Sequence, residues 1–159
     1  MNIMALTDCK GFGHRLTITA SPLLERETLT IFANDLQMRI PLTLALLSSA
    51  DIAIDYTPLT ESELDDAALY ATRVDDALAQ AISIAQHRGL VMLTDDNAGI
   101  DLALTLGLPI RTTLDLAQSW CASHEPEFAR SACLRLKLRS RFLVPHRPAA
   151  PAEWYRSHA

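Results

Sequence analysis

Residues 74–96 read VDDALAQAISIAQHRGLVMLTDD, and this stretch decides the fold class. Behind the acidic pair Asp75-Asp76, apolar residues recur at helical spacing: Leu78, Ala81, Ile82 and Ala85. Gly89 stops that helix. Leu90 to Leu93 form an apolar run of the length expected for a short buried strand, and Thr94-Asp95-Asp96 follow where the strand runs out. A helix feeding a buried strand predicts an α/β protein with parallel strands. In such proteins ligands and reactive groups gather at the carboxyl ends of the strands. The stretch therefore sets an acidic pair at each end of one helix–strand unit.

Upstream, Ile3 to Leu6 reads as a strand ending at Thr7-Asp8, and Lys10 to His14, with two glycines, as a turn. Leu16 to Ala20 alternates with β-branched residues and reads as a second strand. Ser21 as N-cap and Pro22 at the first helical position predict a helix to about Leu36, carrying Glu25 and Glu27. Ile40 to Ser49 reads as a further helix begun by Pro41, and Asp51 to Tyr56 as a strand. Thr60 and Glu63 form a capping box that opens a helix to about Arg73. Downstream, a helix is expected from about Asn97 to Leu106, closed by Gly107, then a brief strand at Leu108 to Ile110. Two more helices follow, near Leu114 to Ala122 and Glu127 to Arg141. The order of elements predicts a three-layer α/β/α domain with a mostly parallel sheet over residues 1–142. Residues 143–159 are proline-rich and read as an extended tail, with Trp154 and Tyr155 available to dock.

A chain of 159 residues can bury a real core. Although 49% of the residues are apolar, no uninterrupted apolar run approaches the ~20 residues of a membrane span. The start, MNIMALTDCKG, lacks the basic and apolar segments of a secretory signal. Cys9, Cys121 and Cys133 match neither a zinc spacing nor a disulfide framework, so reduced thiols and a cytoplasmic location are expected. The net charge of −5 hides an asymmetry. Residues 1–120 carry 16 acids against 7 Lys/Arg, and residues 121–159 carry 3 against 7. The basic segment suits a protein that holds a polyanion. Equally, Arg130, Arg135, Lys137, Arg139 and Arg141 suit the wet face of a terminal helix.

Acids stand at four strand ends or helix starts: Asp8, Glu25/Glu27, Asp75/Asp76 and Asp95/Asp96. Each alone is explained as a cap or a charge favoured by the helix dipole. Together, amid apolar neighbours, they suggest one pocket. Two carboxylates ~4 Å apart repel by ~4 kcal/mol at an effective dielectric of ~20, so a cluster calls for a bound cation. Oxygen-only ligands suit Mg²⁺ or Mn²⁺. The five histidines form no ligand pair at helical spacing, which argues against zinc. Gly11-Phe12-Gly13-His14 lacks the remaining residues of a phosphate-binding P-loop, and no serine occupies a nucleophile elbow.

The run Asp76-Ala77-Leu78-Ala79-Gln80-Ala81, followed by Ala85, Gly89 and Leu93-Thr94-Asp95-Asp96, resembles the second half of a PIN domain. Ala20-Ser21-Pro22-Leu23-Leu24-Glu25-Arg26-Glu27 is similar to that family's segment bearing the second acid, and Leu6-Thr7-Asp8 to its first strand and acid. Leu102 to Ile110 and Thr112-Thr113-Leu114 resemble the usual continuation, so the likeness spans roughly residues 3–115. It implies a metal-dependent endoribonuclease in which Asp8, Glu27, Asp76 and Asp96 ligate one or two Mg²⁺ or Mn²⁺ ions. Thr94 would position a water or a carboxylate. The implied partners are RNA, an antitoxin protein if the chain is the toxin of a toxin–antitoxin pair, and further copies of the chain in a homo-oligomer. Asp75 and Asp95 read as caps or supporting groups rather than ligands, and Asp101 as a solvated helix residue. The chain departs from the family pattern after Asp8, where only about eight residues precede the next strand in place of a helix. That departure supports an alternative: a catalytically degenerate PIN-like scaffold that binds RNA or a protein partner without cleavage.

Overall fold

The computed structural model describes residues 16–23, 30–32, 39–41, 52–122, 126–140 and 150–158. The protein is mixed α/β. Its described strands are β1 (Leu16–Ala20), β2 (Thr30–Phe32), β3 (Arg39–Pro41), β4 (Ile52–Tyr56), β5 (Met92–Leu93) and β6 (Ile110–Arg111). They associate in pairs: β1 with β4, β2 with β3, and β5 with β6. Two compact units divide the chain, one comprising Ile18–Glu27 and Ile54–Thr112, the other Met1–Thr17, Thr28–Ala53 and Thr113–Ala159.

The unit containing Ile54–Thr112 is built on helices α1 (Glu61–Tyr70), α2 (Asp76–Arg88) and α3 (Asn97–Thr105). The capping box forms as the sequence predicts: Glu63 N donates to Thr60 Oγ1 at 3.3 Å, and Thr60 N donates to Glu63 Oε2 at 2.8 Å. Helix α2 packs along α1 and buries Ala79, Ile82, Ser83, Ile84 and Ala85. Ile82, Ala85 and Ala79 join Tyr70, Met92, Leu102 and Ala103 in one apolar cluster. Burying a side chain such as Ile82 contributes about 1.5–3 kcal/mol. At the other end α2 stops at Gly89, whose φ of 63° and ψ of 35° are left-handed. Nothing lies within 4 Å of a Cβ built there, so Gly89→Ala would meet only backbone strain. The expected loss is about 1 kcal/mol, and Gly89→Asn should lose less. Thermal unfolding of the two variants checks this; equal melting temperatures for Ala and Gly would refute it.

Strands β5 and β6 run parallel, with Met92 opposite Ile110 and Leu93 opposite Arg111, and α3 lies between them in sequence. Met92 N donates to Pro109 O at 2.8 Å and Thr94 N to Arg111 O at 3.1 Å, extending the pairing to the carboxyl end of β5. This is the βαβ order read from residues 74–96 and their continuation.

In the other unit, α4 (Thr113–Cys121), α5 (Pro126–Ser140) and α6 (Ala150–His158) pack against one another. Leu114, Ala117, Trp120, Ala132, Cys133, Leu136 and Tyr155 fill the space between them. Trp120 meets Phe128 edge to face, with ring centroids 5.9 Å apart. Residues 150–158 are therefore helical, not extended. The alanines beside Pro151 favour a helix, and proline is tolerated in a first turn, where its missing N–H is not needed. Tyr155, 7% exposed, anchors the helix to the core.

Cys133 is fully buried, and burial pushes its thiol up to about 12, with neighbouring Cys121 adding to the rise. Iodoacetamide at pH 8 should leave Cys133 unmodified in the native protein and alkylate it after denaturation, because the thiolate is the reactive form. Native alkylation at the rate of a free thiol would contradict this packing.

The helix expected from Pro22 to about Leu36 does not run that far. Pro22 and Leu23 are helical and Ser21 Oγ accepts from Leu23 N at 3.1 Å, but Thr30–Phe32 is a strand. It pairs antiparallel with β3, Thr30 opposite Pro41 and Phe32 opposite Arg39. Thr30 and Ile31 are β-branched and Phe32 aromatic, side chains that suit a paired strand better than a helix. Pro41 accordingly ends a strand instead of opening a helix; the rest of the segment read as helical from Ile40 to Ser49 lies outside the described residues. The same holds for Asp8, Cys9, the turn at 10–14, Glu25 and Glu27.

Candidate functional site

Two helices of the unit containing Ile54–Thr112 begin with aspartates, and their first turns meet. Asp75 is the N-cap of α2, its Oδ1 accepting from Leu78 N at 2.9 Å. Asp76 is the first helical residue and is exposed; among the described residues no hydrogen bond or ion pair engages its carboxylate. Asp96 is the N-cap of α3, with Oδ1 accepting from Gly99 N at 2.8 Å. Thr94 Oγ1 accepts from Asp96 N at 3.1 Å, so the threonine fixes the backbone that carries the aspartate.

Gly99 joins the two helix starts. A Cβ built on it would lie 2.8 Å from Leu78 Cδ2 and 3.2 Å from Cδ1. The first turn of α3 thus approaches the first turn of α2 closely enough that only glycine leaves room for the leucine as placed. Asp76 stands two residues before Leu78, and Asp96 three before Gly99. Both carboxylates are exposed. Among the described residues no three His, Cys, Asp or Glu side chains gather in a group able to hold a metal ion.

The expected roles divide accordingly. Asp75 is a cap, as its position predicted, and Thr94 serves Asp96 directly. Asp96 also caps its helix, using one carboxylate oxygen and leaving Oδ2 outside that bond. Asp101 is exposed on α3. Asp8 and Glu27, the remaining proposed ligands, lie outside the described residues.

Beside Asp76, a cavity of about 220 Å³ is lined by Leu23, Leu64, Ala67, Ala68, Ala71 and Gln80. The Ser21 hydroxyl donates to Gln80 Oε1, tying the turn at Ser21 to α2. The walls are mostly apolar, so Gln80 and Asp76 are the polar groups a ligand would meet there.

The strongest electrostatic feature of this unit was not legible in advance. Glu63, 2% exposed, receives Arg88 Nε on Oε1 at 2.7 Å and Nη2 on Oε2 at 2.8 Å. Arg88 Nη2 also donates to Pro58 O at 3.0 Å, and Ser83 Oγ donates to Glu63 O at 2.7 Å. The Arg88 guanidinium holds the Glu63 carboxyl down at about 2, against the opposing effect of burial. Sequence identifies Glu63 only as a capping-box residue; nothing in the spacing of 25 residues announces Arg88 as its partner. The pair locks α1 to α2 and is structural. No family model matches the chain, and neither a curated protein nor a solved structure was found to be similar to it.

Proposed function

We propose that this chain is a PIN-like endoribonuclease that uses Mg²⁺ or Mn²⁺. The observation that carries the reading is the meeting of two aspartate-started helices through Leu78 and Gly99, one of them beginning at the carboxyl end of a parallel strand. The donor chemistry fits a hard divalent cation. Asp76 has an unengaged carboxylate, Asp96 keeps Oδ2 outside its cap bond, and both supply oxygen alone. In this reading Asp76, Asp96, Asp8 and Glu27 hold the ion. When bound, it lowers the pKa of a water nucleophile and stabilises charge on the phosphodiester. Thr94 holds the turn that carries Asp96.

The alternative, a degenerate scaffold that binds without cutting, is favoured by one observation: the Asp96 carboxylate is already employed as an N-cap. Calorimetric titration with Mn²⁺ separates the two. The nuclease reading expects saturable binding that weakens in Asp76→Asn and manganese-dependent cleavage of single-stranded RNA. A flat titration with no cleavage would sink it and leave the scaffold.

A further inference from the structure

We infer that the outward face of α5 binds the phosphate backbone of single-stranded RNA through Arg130 and Lys137, with Leu134 between them. The inference rests on RNA as the substrate but concerns how the strand is held, not how it is cut. Helix α5 turns Ala129, Ala132, Cys133 and Leu136 into its core. Positions 130, 134 and 137 fall together at helical spacing on one side, away from those core positions. Arg130 and Lys137 are exposed, and Leu134 is 48% exposed. Opposite charges three or four residues apart on a helix pair favourably. On α5 only Glu127 is so placed, three residues before Arg130; it is the one acid from Pro126 to Ser140, and Lys137 has no acid within four residues. Among the described residues no carboxylate pairs with Arg130 or Lys137.

The charge is also segregated within the chain. The residues of the unit that contains α5 carry 10 Lys/Arg against 7 acids, while those of the other unit carry 4 against 12. In a protein of net charge −5, cations concentrated in this way suit a polyanion. Arg130 and Lys137 are seven residues apart, about 10 Å along the helix. Two long side chains at that separation can reach nearby phosphates of one extended strand, and Leu134 offers an apolar contact to the ribose or base between them.

The test is fluorescence anisotropy with an oligouridine 20-mer in EDTA, at several salt concentrations, on the full chain and on the double variant R130Q/K137Q. Each lost phosphate contact should reduce the salt slope by about 0.7, so two reduce it by about 1.4 and weaken binding about 25-fold at 0.1 M salt. Wild-type binding without any manganese-dependent cleavage would leave this inference standing and remove the nuclease reading. An unchanged Kd and slope in the double variant would overturn the inference, as would wild-type failure to bind RNA. Binding to phosphatidylserine vesicles in place of RNA would overturn it too. Circular dichroism should show the variant folded, since both side chains are exposed.

Discussion

Arg88→Ala should lower the free energy of unfolding at pH 7 by about 3 kcal/mol. The substitution leaves the Glu63 carboxylate buried without its cation, and breaking such a pair usually costs about 3–5 kcal/mol. The lower end applies because the Arg88 side chain is 26% exposed and water can partly replace it. Two more hydrogen-bonded contacts go with it, the second nitrogen on Glu63 and the one on Pro58 O. Urea denaturation measures the loss. Glu63→Gln in the same background should recover part of the stability. Glutamine keeps the capping-box bond to Thr60 N and removes the stranded charge. A loss under about 1 kcal/mol in the single variant would show the pair to be solvated and of little consequence.

The same pair sets an acid dependence. Glu63 titrates near 4.5 in the unfolded chain and at about 2 in the folded one. Above pH 4.5 the carboxyl is ionised in both states and its full contribution to stability is present. Between pH 4.5 and 2 the unfolded chain takes up the proton first, so the contribution falls away as the pH drops. The span corresponds to about 3 kcal/mol. Arg88→Ala should flatten this part of the profile, which makes the pH series a second check on the assignment.

On the proposed nuclease reading, Asp76→Asn and Asp96→Asn should each reduce manganese-dependent RNA cleavage by at least about 100-fold, since even groups that only support metal ligands cost about 10–100-fold when changed. The asparagine variants are informative because asparagine caps helices about as well as aspartate. Asp96→Asn therefore keeps the bond to Gly99 N and leaves stability nearly unchanged, whereas Asp96→Ala should lose about 1 kcal/mol. A purely structural aspartate would show the opposite pattern, with activity intact in Asn and stability lost in Ala. Cleavage retained in both asparagine variants would remove these two residues from the chemistry.

The candidate site was legible in part. The acids at the starts of α2 and α3, the threonine before Asp96 and the glycine ending α2 all act within a few residues, through caps and left-handed turns. Sequence could also place Asp96 at the end of a strand. It could not show that Gly99 admits Leu78, which is what joins the two helix starts, because that contact spans 21 residues and depends on how two helices cross. Nor could it reveal Arg88 as the partner of Glu63, for the same reason of distance along the chain.

By itself, then, the sequence determined the helices from Glu61 to Ser140, the caps at Thr60, Asp75 and Gly89, and the strands at Leu16–Ala20 and Ile52–Tyr56, whereas the cap of α3 is Asp96 and not Asp95. Periodicity and capping are written in side chains at most four positions apart, and they act before any tertiary contact exists. Only the tertiary structure decided that Thr30–Phe32 is a strand and that Ala150–His158 is a helix. A three-residue strand is stable only when a partner such as Arg39–Pro41 satisfies its backbone. A nine-residue helix is marginal alone and needs a core to receive Tyr155.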